Sequence, residues 1–363
     1  MIDAASSPLP PGSTIGIVGG GQLGRMLAMA AAQLGYRCHV YAPDQAPPAA
    51  EVSAFFSRGA FDNEAALSTF AAQVDVVTYE FENIGAGPLK ALTDRANVHP
   101  PVTALEVAQD RLDEKNFVAD LGGRPAPFRA VWSREDLDRA LAEIGTPAIL
   151  KTRRFGYDGK GQARIMAPAD ADEAWAAVRG APCVLEGFVQ FEAEFSILLC
   201  RAASGKTVLW DAPRNTHEDG ILARSEVPGP GLPVDQVTEA KRLACKVADA
   251  LDYVGVLTLE FFVGADGPVF NEMAPRVHNS GHWTIEGAVT SQFENHVRAV
   301  LGLPLGSPAS AATRVVMDNL IGDQADDWPA LLADPTAHLH LYGKGAASPG
   351  RKMGHVTYLL PSK

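Results

Sequence analysis

Residues 14–34 run TIGIVGGGQLGRMLAMAAAQL, and no other stretch restricts the fold so strongly. A short apolar, strand-like run meets three consecutive glycines, and a segment rich in Ala, Leu and Met with helical character follows. A strand that turns on glycine straight into a helix opens a βαβ unit, and such units build parallel sheets that bind ligands at the strand C-termini. The following residues keep that rhythm. Strands are expected at Thr14–Val18, Arg37–Tyr41, around Phe55 and at Val74–Tyr79, with helices at Gln22–Leu34 and Glu64–Gln73. Gly19, Gly21 and Gly24 also satisfy G-x-G-x-x-G, and Asp44 lies about twenty residues on, as in a dinucleotide fingerprint. Taken alone, the turn reads as that of a dinucleotide-dependent oxidoreductase.

The rest of the chain is not a second copy of this half. Pro100-Pro101 interrupts it, and helices are expected over Thr103–Leu121, Leu137–Ile144 and Val237–Leu251. Strands are expected at Ala148–Thr152, Cys183–Phe188, Glu194–Cys200, Thr207–Asp211 and Val256–Val263. Gly302–Ala311 has the composition of a linker, and a small β-rich tail follows. A net charge of −12 over 363 residues argues against a broad nucleic-acid surface but not against a local basic pocket. The four cysteines are scattered without a C-x-x-C pair, which suits reduced thiols in the cytoplasm and offers no zinc cluster. No apolar run approaches the ~18 residues of a membrane span. The first residues lack the signature of a signal peptide and read as a short disordered lead.

Four stretches carry chemistry. In KTRRFGYDGKGQ, residues 151–162, a lysine ends a strand before Gly156, Gly159 and Gly161. Glycines let backbone amides approach an anion, and Lys151, Lys160 and two arginines add charge, so a flap over nucleotide phosphates is the reading. The spacing is not that of a Walker loop, and a mobile surface hairpin is the competing reading. In LTLEFFVGADGPVFNEMAPR, residues 257–276, a loop over Gly264–Pro268 would pair Val263 with Val269 and set Glu260 opposite Glu272, with Asn271 adjacent. Two hard carboxylates near phosphates suit Mg²⁺. A solvated strand pair is the alternative. In RVHNSGHWT, residues 276–284, His278 and His282 have the i, i+4 spacing of a helical metal site, but Asn279-Ser280-Gly281 favours a turn. Arg276 with turn amides and Ser280 makes a better phosphate cradle, and structural histidines remain the plain option. In YGKGAASPGRKMGH, residues 342–355, Lys344, Arg351 and Lys352 surround a Gly/Pro turn, either completing an anion site or lining a solvated loop.

Taken in order, QDRLDEKNF, KTRRFGYDGKGQ, NTHEDGI, NEMAPRVHNSGHWT and PGRKMGH resemble the ATP-grasp enzymes of purine synthesis, from about Ile15 to His355. The resemblance is strongest to members that carboxylate aminoimidazole ribonucleotide (AIR) with bicarbonate; GGGQLGRM is shared more widely. It implies an α/β and α+β ATP-grasp fold. Residues 1–12 would be the lead, 13–104 a Rossmann-like preATP-grasp domain, and 105–301 a two-lobed ATP-grasp domain whose small lobe covers about 115–185. Residues 302–363 would form a small β-rich domain, with a tail shorter than in some relatives.

The resemblance also implies ATP as co-substrate and Mg²⁺ as metal. Arg111, Lys115 and Lys151 would contact ATP phosphates, with Gly156, Tyr157, Asp158, Gly159, Lys160, Gly161 and Gln162 closing over them. Glu186, Gly187, Phe188 and Val189 would read adenine, with Glu194 on the ribose hydroxyls and His217 near the nucleotide. Glu260 and Glu272 would hold Mg²⁺ beside Asn271. AIR would lie on Gln22, Leu23 and Glu80, with Arg276, His278, Asn279, Ser280, Lys344 and Arg351 about its phosphate. Tyr157, Asp158 and Lys160 would meet bicarbonate and the reacting amine, although some relatives carry arginine at the position of Lys160. The family further implies a homodimer in the cytoplasm, no nucleic-acid or membrane partner, and a product, N5-carboxyaminoimidazole ribonucleotide, passed to a mutase. A formate-dependent glycinamide ribonucleotide transformylase shares the early turn and overall plan. An oxidoreductase would leave the lysine–glycine flap and the Glu260/Glu272 pair unexplained.

Overall fold

The computed structural model describes residues 7–93, 95–154, 156 and 161–361. The first sheet contains β1 (Thr14–Val18), β2 (Arg37–Ala42), β3 (Phe55–Arg58) and β4 (Val76–Tyr79), all parallel, in the order β3-β2-β1-β4. The expected βαβ rhythm is therefore present, with β1 and β4 as neighbours and the glycine turn at their C-terminal ends. β1 is buried along its whole length, as a strand covered on both faces must be.

A second sheet contains β5 (Phe128–Val131), β6 (Ala148–Thr152), β7 (Gln162–Ile165) and β8 (Cys183–Gly187), antiparallel in the order β5-β8-β6-β7. Its helices Arg134–Ile144 and Ala171–Ala177 bury one face around Leu137, Leu150 and Leu185. The largest sheet is formed by β9 (Glu194–Arg201), β10 (Thr207–Leu209), β11 (Arg214–Glu218), β12 (Ile221–Val227), β13 (Gly255–Gly264), β14 (Gly267–Ala274), β15 (Arg314–Ile321), β16 (Ala337–Leu341) and β17 (Lys352–Leu360). Its order is β14-β13-β9-β11-β12-β15-β17-β16, with β10 paired to β9. The β-rich tail thus adds its strands to the large sheet instead of forming a sheet of its own. The helix Val234–Ala250 packs its buried stripe of Ala240, Leu243, Ala244 and Val247 on this sheet. The helix Gln22–Gln33 packs against the helix Gln292–Val300, tying the first sheet to the third.

Several expectations change in detail. The helix expected over Thr103–Leu121 is two, Val102–Ala108 and Arg111–Asp120, because Asp110 breaks the first and caps the second by accepting from Leu112 N at 3.1 Å. The described part of the expected disordered lead is anchored: Leu9 N donates to Leu301 O at 3.0 Å, and Tyr36 Oη donates to Leu9 O at 2.7 Å. The hairpin β11–β12 was not expected, although Asp219-Gly220 at its tip, both with positive φ, is the strongest short-range hairpin signal. The β13–β14 loop is also tighter than expected. Gly264 pairs with Gly267 and Val263 with Pro268, and a bulge at Asn271 then restores the pairing of Glu260 with Glu272. Pro268 is tolerated because β14 is the edge strand.

Candidate functional site

Arg111, Glu114, Lys115 and Val118 lie at i, i+3, i+4 and i+7 on one helix, the positions that normally carry its apolar stripe. Three of the four are ionisable, and Glu114 and Lys115 are fully buried. Glu114 accepts from Met273 N at 2.6 Å, which docks the helix on β14. Burial pushes the Glu114 carboxyl up to about 8, against the pull of Lys115. Lys115 Nζ donates to Asn271 O and reaches Glu186 Oε2, each at 3.2 Å. Lys151, at the end of β6, meets the same Glu186 oxygen at 2.9 Å. Arg111 pairs with Glu272 at 3.3 Å and donates to Gly156 O at 3.4 Å. One face of the cleft is therefore cationic. Lys151 is pushed below its ordinary value by burial and by Lys115 and Arg111, although Glu186 pulls the other way. Such a site is short of an anion.

Glu272, the partner of Arg111, is paired with Glu260 across β13 and β14. Burial, then the neighbouring Glu272, raises Glu260; Glu272 is held low because Arg111, Lys151 and Lys115 outweigh its own burial. His278 Nε2 lies 3.6 Å from Glu260, and His217 Nδ1 lies 2.7 Å from Glu194. Burial works against the His217 proton, but Glu194, Glu260 and Glu272 raise its affinity overall. Among the described residues no three His, Cys, Asp or Glu side chains form a metal cluster. Two carboxylates beside a cationic site fit the donor set Mg²⁺ commonly takes, one or two carboxylates with phosphate and water completing the shell.

The glycine turn lies next to this cleft. Glu80 follows β4 directly and is almost fully buried. Its carboxylate accepts from Gly21 N at 2.7 Å and Gly24 N at 3.3 Å, and so caps the N-terminus of the helix Gln22–Gln33. A Cβ on Gly19, whose φ is +113°, would come within 2.7 Å of the Glu80 side chain. The glycines admit the protein's own carboxylate, where the dinucleotide fingerprint would place a pyrophosphate. Asp44 is exposed in a bend beyond β2. Burial raises Glu80, opposed by the two turn amides, Arg276 and Lys344. Arg276, half-buried, pairs with Glu82 at 2.8 Å.

Residues 279–281 form a 3₁₀ turn, so His278 and His282 do not share a helical face. His278 faces Glu260, while His282 is buried against Phe293 and His355. The helical zinc reading therefore fails. Gln292 fixes the turn by accepting from His278 N at 2.9 Å and donating to His278 O at 2.6 Å. Ser280 Oγ lies 2.9 Å from His278 Nδ1, and both side-chain polar atoms of Asn279 are buried without a hydrogen-bond partner among the described residues.

At the hinge, Gly187 N and Phe188 N donate to Pro127 O and Pro147 O, and Phe188 is exposed with Val189 half-buried beside it. Leu23 is buried, leaving Gln22 as the more accessible side chain of that pair. Gly161 adopts a φ of +71°, and its carbonyl accepts from Thr152 N, with Gln162 next along β7. Lys344 lies over the Tyr342 ring at 5.5 Å, and Arg351 is exposed on the same loop. Tyr157, Asp158, Gly159 and Lys160 lie outside the described residues.

The sequence reading missed Asp110, Glu82, Glu114 and Gln292. Asp110 joins Arg153 at 2.8 Å and Arg154 at 3.2 Å, fastening the base of the glycine stretch to a helix start; its place before RLDEKNF was a readable N-cap signal.

Comparison with known proteins places this geometry in context. Residues 13–109 match the ribonucleotide synthetase preATP-grasp domain, 116–293 the ATP-grasp domain, and 315–363 the phosphoribosylaminoimidazole carboxylase C-terminal domain. The chain is 51% identical to N5-carboxyaminoimidazole ribonucleotide synthase of Brucella melitensis, over 97% of this chain and 98% of that one. It is similar to the crystal structure of the Thermus thermophilus synthetase, with a TM-score of 0.90 and 47% identity, covering 96% of this chain and 94% of that one. It is also similar to the Aspergillus clavatus enzyme in complex with ADP and 5-aminoimidazole ribonucleotide, with a TM-score of 0.91 and 31% identity over 97% and 95% of the two chains.

Proposed function

The chain belongs to the N5-carboxyaminoimidazole ribonucleotide synthase family of ATP-grasp ligases, and on that premise we propose that it carboxylates the exocyclic amine of AIR with bicarbonate at the expense of ATP. The products are N5-carboxyaminoimidazole ribonucleotide, ADP and phosphate. The observation that carries this reading is that Arg111, beside the buried Lys115 and Lys151 that share Glu186, pairs with Glu272, which in turn stands opposite Glu260.

Phosphoryl transfer to bicarbonate asks the protein chiefly for positioning and charge neutralisation. Arg111, Lys115 and Lys151 hold the phosphates, and Glu186, Gly187, Phe188 and Val189 receive adenine, with Glu194 and His217 beside the ribose. Glu260 and Glu272, flanked by Asn271, would hold Mg²⁺, which when bound neutralises phosphate charge. AIR lies along Gln22, Leu23 and Glu80, its phosphate near Arg276, His278, Asn279, Ser280, Lys344 and Arg351. The stretch Gly156–Gln162 excludes water from the carboxyphosphate formed, within which Tyr157, Asp158 and Lys160 are assigned to bicarbonate and the amine. The same reading carries a cytoplasmic homodimer that hands its product to a mutase. No helix among the described residues is long and apolar enough to cross a membrane.

The test is ADP release in the presence of Mg²⁺ and bicarbonate. Stimulation by AIR, and not by glycinamide ribonucleotide with formate, is the expected result, and the reverse overturns the reading. Glu272→Ala is expected to abolish the activity; retention of AIR-dependent ADP release contradicts the metal assignment.

A further inference from the structure

One carboxylate oxygen is shared by two buried ammonium groups. Glu186 Oε2 lies 2.9 Å from Lys151 Nζ and 3.2 Å from Lys115 Nζ, and the side chains of Glu186 and Lys115 are 6% and 0% exposed. The two lysines reach it from different parts of the molecule. Lys151 is on β6 and Glu186 on β8 of the second sheet, where the register pairs Ile149 with Glu186 and Lys151 with Val184. Lys151 and Glu186 are thus diagonal neighbours on one face, within reach for long side chains. Lys115 comes from the helix that docks on β14, and it also donates to the Asn271 carbonyl. Two ammonium groups this close repel each other, and without a carboxylate between them they would turn apart.

We propose that Glu186 is a positioning residue whose carboxylate gathers Lys115 and Lys151 at one point for the phosphates. This rests on the reading of that cleft as the ATP site and gives Glu186 a task beyond its place at the adenine hinge. The groups facing Lys151 are Glu186 from β8, Lys115 and Arg111 from the helix Arg111–Asp120, and Glu272 from β14. Of the two carboxylates, only Glu186 hydrogen-bonds to Lys151. Burial, Lys115 and Arg111 all favour loss of its proton, so the carboxylate is what retains it.

The experiment uses the full-length enzyme and AIR-stimulated ATP turnover across pH 6–10. Native turnover must depend on AIR; if it does not, the parent reading fails, whatever Glu186 does. Given native turnover, Glu186→Gln is expected to lower kcat by about 100-fold, the scale for a catalytic group displaced by ~1 Å. KM for ATP is expected to move far less. The alkaline limb of its pH profile is expected to move to lower pH, as Lys151 loses its proton more readily. Glu186→Asp, which keeps the charge, is expected to return that limb toward the native position. A folded Glu186→Gln enzyme with native kcat and native alkaline limb overturns the proposal, as does Glu186→Asp behaving like Glu186→Gln. Should Glu186→Gln fail to fold, the aspartate variant and Lys151→Arg decide the matter. The alkaline limb of Lys151→Arg is expected to move to higher pH because guanidinium does not titrate in this range, and an unmoved limb overturns the proposal.

Discussion

Replacing Glu80 by alanine would leave the Gly21 and Gly24 amides of a buried helix N-terminus without their acceptor, and an unsatisfied buried group of this kind costs about 1–3 kcal/mol. It would also remove the negative group that Arg276 and Lys344 face. Glu80→Ala is therefore expected to lower the thermal midpoint and to raise KM for AIR at least about tenfold, the kinetic equivalent of ~1.4 kcal/mol. KM for ATP is expected to stay near native, because the groups Glu80 meets are Gly21, Gly24, Arg276 and Lys344 and not Lys115 or Lys151. Steady-state kinetics with each substrate varied separately checks this. At this scale the sequence exposes the charged residues but not their partners. G-x-G-x-x-G points equally to a pyrophosphate and to an internal carboxylate, and only the fold brings residue 80 to residue 21.

The hairpin β13–β14 shows how far element-level reasoning reaches. Its strands and turn are legible because apolar runs flank Gly264 and Gly267, and the pairing of Glu260 with Glu272 follows from a simple antiparallel register. The structure arrives at that pairing by a shorter turn and a compensating bulge, a one-residue adjustment with no sequence signature. The Gln292 clamp on the His278 turn was illegible for a related reason, since it joins segments 14 residues apart through side-chain contacts. The bulge makes its own prediction. Deleting Asn271 removes the extra residue and leaves Glu272 opposite Glu260 in an unbroken ladder, but it also removes the carbonyl that Lys115 Nζ reaches at 3.2 Å. The variant is expected to retain native far-UV circular dichroism and to lower AIR-dependent ADP release without abolishing it. Complete loss of turnover would show that catalysis needs the bulge itself and not only the carboxylate pair.

The molecule as a whole has opposed pH liabilities. His282, His296 and His355 are fully buried and His278 is half-buried, and desolvation lowers the proton affinity of each, to about 3 for His296. The unfolded chain binds these protons from about pH 6.5 downward, so stability falls as pH drops below that value, by up to about 1.4 kcal/mol per pH unit per histidine. Glu114 acts in the other direction. Its folded value of about 8 exceeds an unfolded ~4.3, so its contribution is lost as pH rises through that window. Urea midpoints are expected to decline between pH 6.5 and 5. His296→Asn, which alters the link of His296 Nε2 to Thr78 Oγ1 at 2.8 Å, is expected to be less stable at pH 7.5 yet to lose less on acidification. Glu114→Gln is expected to gain on the native chain as pH rises toward 8. Titration curves parallel to native would contradict these assignments.

The packing of the helix Gln22–Gln33 against the helix Gln292–Val300 bears on how the chain matures during synthesis. The first helix leaves the ribosome long before its cover exists. At about 5–20 residues per second, its apolar face waits for tens of seconds. The first sheet can form early from local pairings, but it must do so as an unfinished surface. Nascent chains stalled before residue 292 are therefore expected to be the species that chaperones bind and that aggregate when chaperones are scarce.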